Sequence, residues 1–96
     1  MQMKLKAAAE QKELISVLKA LNGMTGSELM FDDVKSTMSE NEIKLAYLLP
    51  MTEDDYAENG KDILAIGKKA KNWSCTTQYS KRDKAVMILF STKISF

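Results

Sequence analysis

The residue types that most often carry chemistry in proteins are scarce in this sequence. Its 96 residues include one cysteine, Cys75, and no histidine. Histidine is the usual general base beside a nucleophilic serine or cysteine and a common zinc ligand, so the familiar hydrolase triads and zinc sites lack a part. Without a base to activate its thiol, we expect Cys75 to be a small buried hydrophobic residue. A single cysteine forms no internal disulfide, so the chain requires no oxidising compartment.

Carboxylates remain as candidate acids, bases or metal ligands. They form two clusters, Asp32-Asp33 and the acidic stretch within residues 53–58. Paired carboxylates can hold magnesium or act as a general acid and base when they converge on one site. Neither cluster comes with a glycine-rich phosphate loop or the twelve-residue calcium-loop pattern, so we expect both to be solvated. The sequence therefore predicts a protein that is not an enzyme and uses no metal or cofactor.

Charged residues are unevenly distributed along the chain. The whole sequence has 14 lysines and arginines against 13 acidic residues, a net charge of +1. Residues 39–60 contain six acidic residues and one lysine, whereas residues 61–84 contain seven basic and two acidic ones. A −5 segment thus precedes a +5 segment. We expect them to form two charged faces, and such faces are where a partner would bind.

These segments support two functional hypotheses. In the first, the chain docks on a partner protein, as an inhibitor, adaptor or assembly factor, through an acidic segment and a basic hairpin. The acidic candidates are Glu40, Glu42, Glu53, Asp54, Asp55 and Glu58. In the second, the chain binds duplex DNA, because basic residues near aromatic ones suit phosphate contacts. The candidates are then Asn41, Lys44, Lys68, Lys69, Lys71, Lys81, Arg82 and Lys84.

The first element that must position these residues is a helix over residues 4–21. Apolar residues at the spacing i, i+3, i+4 and i+7 place one stripe along it. They are Leu14, Val17, Leu18 and Leu21. Asn22-Gly23 is expected to end the helix, because both residues tolerate the left-handed backbone that closes one. We expect the stripe to face the core.

Two further helices are predicted from capping boxes. Residues 25–28 and 39–42 each have a serine or threonine followed three residues later by glutamate, so each side chain can satisfy a backbone donor at a helix start. The second and third helices then cover residues 25–31 and 40–49. Pro50 is expected to end the third, because it lacks a backbone donor and disfavours helical geometry in the residue before it.

Three segments have less regular patterns. Residues 32–37 are predicted to form a turn, or, through Val34 and Met38, to prolong the second helix. Residues 52–60 suit either one or two helical turns, with Thr52 as the cap and Asn59-Gly60 as the exit, or a mobile acidic loop. Residues 62–66 suit either a short strand or the last turn of a helix.

The last third of the chain predicts β structure. Residues 72–80 and 86–96 both alternate with the period of two that is typical of strands, and residues 80–83 are the expected hairpin turn. The second of these strands is apolar on both faces at its middle, so we expect it to be central. The predicted fold is α+β, with three N-terminal helices followed by a small antiparallel sheet of two or three strands. One domain of residues 1–96 is expected.

The order of these elements resembles a winged-helix domain. Residues 14–29 resemble its first helix, turn and second helix; residues 39–49 fall where its third, recognition helix lies; residues 63–73 look like a strand running into a basic wing. The resemblance implies DNA binding, with the third helix in the major groove and the wing on the backbone. Here that helix would open with Glu40 and Glu42, which suit phosphates poorly. Winged-helix domains also dock on proteins, so we favour protein docking over DNA binding.

No segment indicates a membrane or secreted location. The longest apolar run, residues 85–90, is six residues long and far short of a membrane span. The basic start, residues 1–6, is followed by alanines and charged residues instead of the apolar core of a signal peptide. We therefore expect a cytoplasmic protein with no membrane contact.

Overall fold

The fold alternates a helix with a pair of strands. The computed structural model describes residues 12–22, 24, 28–39, 41–70 and 72–93. Along the chain it contains helix α1 (Lys12–Asn22), strands β1 (Met30–Met38) and β2 (Glu42–Pro50), helix α2 (Glu53–Gly67), and strands β3 (Ser74–Ser80) and β4 (Ala85–Lys93). The described chain is thus built from two successive α-β-β units.

The four strands form one antiparallel sheet in the order β1-β2-β4-β3. Each α-β-β unit supplies one hairpin, and the second strand of each hairpin lies in the middle of the sheet. There β2 and β4 pair without a register shift, from Glu42 opposite Lys93 to Pro50 opposite Ala85. This continuous strand pair joins the two units, so that each edge strand has only one neighbour.

Both helices cover the same face of the sheet. Alternate residues of a strand point to opposite faces, and one set from β2 and β4 packs with residues of both helices in a single core. The main members are Leu14, Val17, Leu21, Ile43, Leu45, Tyr47, Leu49, Ile63, Val86, Ile88 and Phe90. We call this side of the sheet the covered face. No described helix lies on the opposite side, which we call the open face.

The first predicted helix is confirmed from Lys12 to Asn22, and residues 4–11 lie outside the described residues. Three of its four stripe residues are buried, whereas Leu18 is only half-buried. The helix ends at Asn22, as predicted. The side-chain oxygen of Asn22 then accepts a hydrogen bond from the backbone N–H of Leu29 at 2.7 Å, which ties the helix end to the start of β1.

Residues 52–60 are helical, which was one of the two alternatives. The hydroxyl of Thr52 accepts a hydrogen bond from the backbone N–H of Asp55 at 3.1 Å and caps α2. The expected exit at Asn59-Gly60 is wrong, because the helix continues to Gly67. Residues 62–66, expected as a strand or a last helical turn, are therefore the end of α2.

The predicted arrangement of elements is wrong, although the fold is α+β. Residues 40–49 were expected as a third helix, but the chain is strand from Glu42 to Pro50. The second expected helix, residues 25–31, overlaps β1, which begins at Met30; residues 25–27 and 40 lie outside the described part. Two helices and a four-stranded sheet, each helix followed by a hairpin, replace three N-terminal helices followed by a small sheet.

Pairing with other strands explains why the third helix is absent. The backbone N–H of Ser39 donates to the carbonyl of Glu42 at 2.8 Å, and the hydroxyl of Ser39 donates to the same oxygen at 3.3 Å. Ser39 and Glu42, the first and last residues of the expected capping box, therefore bond to each other between β1 and β2 instead of capping a helix. From Leu45 to Leu49 the strand is apolar on both faces, so it carries no clear helical or strand period. These residues form a strand because their backbone groups bond to β1 on one side and to β4 on the other.

Residues 32–37 were expected as a turn and lie in β1, but the strand bulges there. The register jumps between Asp32 and Thr37, so four residues of β1 stand against one of β2. The Asp32 carboxylate accepts hydrogen bonds from the backbone N–H groups of Val34 and Lys35, at 3.1 and 3.3 Å. The hydroxyl of Ser36 donates to the Asp32 carbonyl and accepts from a backbone N–H of β2 at 2.9 Å. The turn-forming chemistry is therefore present inside an edge strand.

The C-terminal hairpin is confirmed. Strands β3 and β4 pair from Ser74 opposite Ser91 to Ser80 opposite Ala85, with residues 81–84 as the turn. Strand β4 has a partner on each side, as its apolar middle predicted. Residues 94–96, expected in the same strand, lie outside the described residues.

Phe90→Ala is expected to lower the free energy of unfolding by about 3–5 kcal/mol. The ring of Phe90 is fully buried in the central strand, and its removal leaves a cavity under the helices. Urea denaturation followed by circular dichroism measures the loss. Val34→Ala is the control, because it removes a mostly exposed side chain and should change stability by less than about 0.5 kcal/mol. Equal effects of the two substitutions would contradict the central position of β4.

Gly67→Ala is expected to destabilise the fold by about 1–3 kcal/mol, because α2 approaches β3 closely at this residue. A Cβ atom at Gly67 would clash with the sulfur of Cys75 and lie 3.2 Å from its Cβ. Cys75→Ala in the same chain removes the sulfur and should recover part of the loss. A double-mutant cycle of denaturation measurements gives the coupling, and strictly additive losses would argue against the close approach.

Candidate functional site

Most of the acidic candidates lie at the start of α2. Its exposed first turn consists of Glu53, Asp54 and Asp55, and the positive end of the helix dipole favours negative charge there. Glu58 is exposed one turn further along the helix. Glu42 begins β2, at the other end of a nine-residue strand, and Glu40 lies outside the described residues. The acidic candidates thus form one cluster of four, whose sequence position suits a helix start.

The basic hairpin turn lies beside this acidic cluster. The ammonium of Lys81 is 3.9 Å from the carboxylate of Glu53, and the backbone N–H of Met51 donates to the carbonyl of Lys84 at 3.3 Å. The −5 and +5 segments therefore meet at one end of the molecule. An exposed ion pair of this kind contributes little to stability. Its two charges nevertheless offset each other, so the acidic cluster is not an isolated negative face.

Asp83 organises the β3–β4 turn. The Ser80 hydroxyl donates to its carboxylate at 2.8 Å, and the side chains of Arg82 and Lys35 approach it at 3.7 and 3.6 Å. The hydrogen bond from Ser80 lowers the pKa of the Asp83 carboxyl, and the nearby cations lower it further. The contact with Lys35 joins the bulge of β1 to a turn that lies two strands away in the sheet.

The candidates for DNA binding do not form one patch. Lys81, Arg82 and Lys84 lie in the β3–β4 turn, whereas Lys68 and Lys69 directly follow α2. The helix has 15 residues, so about 22 Å separates its two ends. Of these two groups, only Lys68 and Lys69 have further candidates nearby, because the start of β2 lies at the same end of the sheet as the end of α2.

Those further candidates are Asn41, in the β1–β2 turn, and Lys44, on the open face of β2. The ammonium of Lys44 is 3.6 Å from the Glu42 carboxylate. Both residues were expected on a recognition helix, and they lie instead in a turn and a strand. Lys71, the remaining candidate, is outside the described residues.

We did not predict the exposed apolar residues of β1 from the sequence. Met30, Phe31 and Val34 are 47%, 48% and 87% exposed, and they are the exposed large hydrophobic side chains of the described residues. All three belong to one edge strand, and Val34 lies in its bulge. The only sequence signal was the apolar run from Leu29 to Phe31, which we had placed at the end of a short helix.

A groove beside β1 extends the Phe31 side of this strand, which is the covered face; Met30, opposite Leu48, lies on the open face. It has a volume of about 370 Å³ and lies between α1 and the chain that enters β1. Ile15, Leu18, Leu29 and Tyr47 line its apolar part, with Lys19, Asn22 and Glu28 around them. The ring of Phe31 meets that of Tyr47 edge to face, with the centroids 5.3 Å apart. We call Ile15, Leu18, Leu29, Met30, Phe31 and Val34 together the β1 surface.

Neither Cys75 nor the carboxylates form a reactive centre among the described residues. Burial raises the pKa of the Cys75 thiol to about 11, although the charge of Lys68 counteracts part of the rise. The thiol therefore stays protonated at neutral pH, and a protonated buried thiol is a poor nucleophile. The described cysteine, aspartate and glutamate side chains include no group of three that could hold a metal ion.

Stability is expected to fall between about pH 9 and pH 11, because the folded state keeps the proton of Cys75 longer than the unfolded state does. The pKa of this thiol rises from 9.0 in the unfolded chain to about 11 in the fold. The unfolded state binds fewer protons in that interval, so the free energy of unfolding decreases as the pH rises. Urea denaturation at pH 8, 9, 10 and 11 measures the slope.

Cys75→Ala should flatten this pH dependence, while Tyr47→Phe should change it only above about pH 10, where an ordinary tyrosine begins to ionise. Burial also raises the pKa of the Tyr47 hydroxyl, so the two residues act in successive intervals. An unchanged slope in Cys75→Ala would contradict a thiol protonated by burial.

In comparisons with known proteins, the chain matches no protein-family model, no curated protein and no solved structure. They neither support nor oppose the resemblance of residues 14–29 to winged-helix domains. The described helices are all too short or too polar to cross a membrane. We therefore infer the function from the surfaces of the described residues.

Proposed function

We propose that this chain is a non-enzymatic docking domain that binds a partner protein through the β1 surface. The observation that carries the proposal is the exposure of Met30, Phe31 and Val34 on a single edge strand. Scattered exposed hydrophobic residues are ordinary on a soluble protein, but three on one edge strand, with Phe31 beside an apolar groove, are typical of an interaction site. Met30 lies on the open face and Phe31 on the covered face, so a partner would enclose the edge of β1 from both sides. Methionine and aromatic residues are also enriched in the cores of protein interfaces.

The bulge of β1 presents Val34 in a defined position. Its backbone N–H bonds to the Asp32 carboxylate, and Ser36 ties the bulge to β2. A side chain held in this way loses little conformational freedom when it is buried by a partner, so more of its burial contributes to affinity. The same bulge interrupts the regular edge of the sheet, which disfavours indiscriminate pairing with other strands. The surface therefore suits a specific partner more than aggregation.

Polar and charged groups surround the apolar centre of the β1 surface. Lys19 and Glu28 line the groove, and Asp33 is exposed beside Val34. An apolar centre with a polar rim is the common arrangement of protein interfaces. We place the docking surface here rather than on the acidic start of α2, because Lys81 lies beside Glu53 and the helix dipole already favours acidic residues in that turn.

The cytoplasm is the proposed location. The single cysteine is a free, buried thiol, which suits a reducing compartment. Duplex DNA binding is the alternative function, and the separation of its candidate residues into two groups makes it the weaker one. Binding of duplex DNA that falls steeply with rising salt would favour it.

Site-specific photo-crosslinking in the intact chain tests the docking proposal. A photoreactive amino acid at position 34, and separately at position 31, should crosslink the same protein of the host cell. The control position is 78, because Gln78 is exposed on β3 at the opposite edge of the sheet. Equal crosslinking from positions 34 and 78, or a product that contains only a second copy of this chain, would contradict the proposal.

Met30→Lys is expected to weaken binding of that partner at least tenfold, because a charge would be buried in the apolar contact. Its effect on the free energy of unfolding should stay below about 1 kcal/mol, since the side chain is half exposed in the free protein. The matched control reverses charge at Glu53, Asp54 and Asp55 and should leave the affinity unchanged. If only the charge-reversed control lost binding, the partner would contact the acidic cluster instead of the β1 surface.

A further inference from the structure

A polar cleft lies on the sheet, at the end distant from the acidic start of α2. Its volume is about 540 Å³, and Glu42, Asn72, Ser74, Ser91, Thr92 and Lys93 line it. The lining residues are all of polar or charged types, whereas β2 and β4 place Leu48, Met87 and Leu89 on the open face toward the other end. The two ends of this face thus suit different ligands.

Strand register brings hydroxyl and ammonium groups together at this cleft. Ser74 lies opposite Ser91, and Ser91 lies opposite Lys44, so the three form one row across the open face. Lys93 lies opposite Glu42 in the adjacent row. Neighbouring strands are about 4.8 Å apart and neighbouring rows on one face about 7 Å. These spacings allow one phosphate group to accept hydrogen bonds from both serine hydroxyls while the long Lys93 side chain reaches it from the adjacent row.

The charge around the cleft favours an anion. The lining itself holds one lysine and one glutamate, Lys93 and Glu42, and the described residues around it, 41–44, 68–70, 72–76 and 91–93, add three further lysines. The ammonium of Lys44 is 3.6 Å from the Glu42 carboxylate, so these two charges largely offset each other. Lys93 makes no ion pair with any carboxylate of the described residues. The Lys93 ammonium is therefore available to pair with a ligand. Lys68 and Lys69, at the same end of the molecule, add positive charge at a greater distance.

One wall of the cleft is held in an uncommon conformation. Asn72 has a φ of 71°, in the left-handed region that asparagine tolerates better than most residues other than glycine. The hydroxyl of Thr92 donates to the carbonyl of Asn72 at 2.7 Å, which ties this residue to β4.

We propose that this cleft binds a phosphate group. The ammonium of Lys93 supplies the charge, the hydroxyls of Ser74 and Ser91 donate hydrogen bonds to the phosphate oxygens, and Asn72 closes one side. The phosphate comes either from a small phosphate ester or from a nucleic-acid backbone, since both present the same tetrahedral oxyanion. This site lies apart from the β1 surface and does not depend on the docking proposal.

Titration of the intact, isotope-labelled chain with sodium phosphate, followed by amide NMR, tests the site. Sodium chloride at matched ionic strength provides the reference. We expect saturable shifts at residues 72–76 and 91–93. Lys93→Ala should weaken the binding at least fivefold, whereas Lys84→Ala, at the opposite end of the sheet, should leave it unchanged.

A mixed-sequence DNA duplex in the same titration separates the two sources of phosphate. Tighter binding that shifts the same residues and weakens with salt identifies a nucleic-acid backbone, and binding no tighter than that of phosphate identifies a small ester. Shifts that fail to saturate, that centre on residues 81–84, or that persist in Lys93→Ala would indicate an adventitious ion only and overturn the proposal. Crosslinking from position 34 should be the same in Lys93→Ala, so failure of one proposal is distinguishable from failure of the other.

Discussion

Pairing of β2 with β4 is the interaction on which the rest of the structure depends. These two strands run antiparallel in unbroken register from Glu42 opposite Lys93 to Pro50 opposite Ala85. They come from different α-β-β units, so their hydrogen bonds join two halves that otherwise meet through the core and through the Lys35–Asp83 ion pair. Their inward residues, with Leu45 opposite Phe90 at the middle, form the floor on which both helices pack. Without this pair, each hairpin would be too small to bury an apolar face.

The same pairing decides which charges and apolar residues meet. It brings the start of α2 beside the β3–β4 turn, where Glu53 and Lys81 pair, although 28 positions separate them in the sequence. At the other end it places Lys44 and Lys93 on one face, where Glu42 is the acidic residue among those that the structure describes. It also makes β1 an edge strand with one neighbour, which leaves its apolar residues exposed. The proposed docking surface and the proposed phosphate site are thus both consequences of one central strand pair.

Local signals predicted the elements whose stability is local, and failed where distant pairing decides. The apolar stripe of α1 and the alternation in β3 and β4 were sufficient for those elements. The Thr52 cap left residues 52–60 open between a helix and a loop, and the helix runs past the expected exit to Gly67. Residues 45–49 were misread, because an apolar run suits a buried helix and a strand paired on both sides equally well. Asp32 and Ser36 have the side chains of turn residues, so the sequence predicted a turn where they form a bulge within strand β1. For the candidate site, residue types showed which charges exist, but not that the acidic and basic segments meet or that Met30 and Phe31 are exposed.

Hydrogen exchange of the intact chain, free and bound to the protein crosslinked from position 34, tests whether the partner docks on β1. We expect slower exchange on binding for residues 28–38, the segment that contains most of the β1 surface, and unchanged exchange for residues 53–58 at the start of α2. Slower exchange confined to residues 53–58, or to β3 at the opposite edge, would contradict docking on β1.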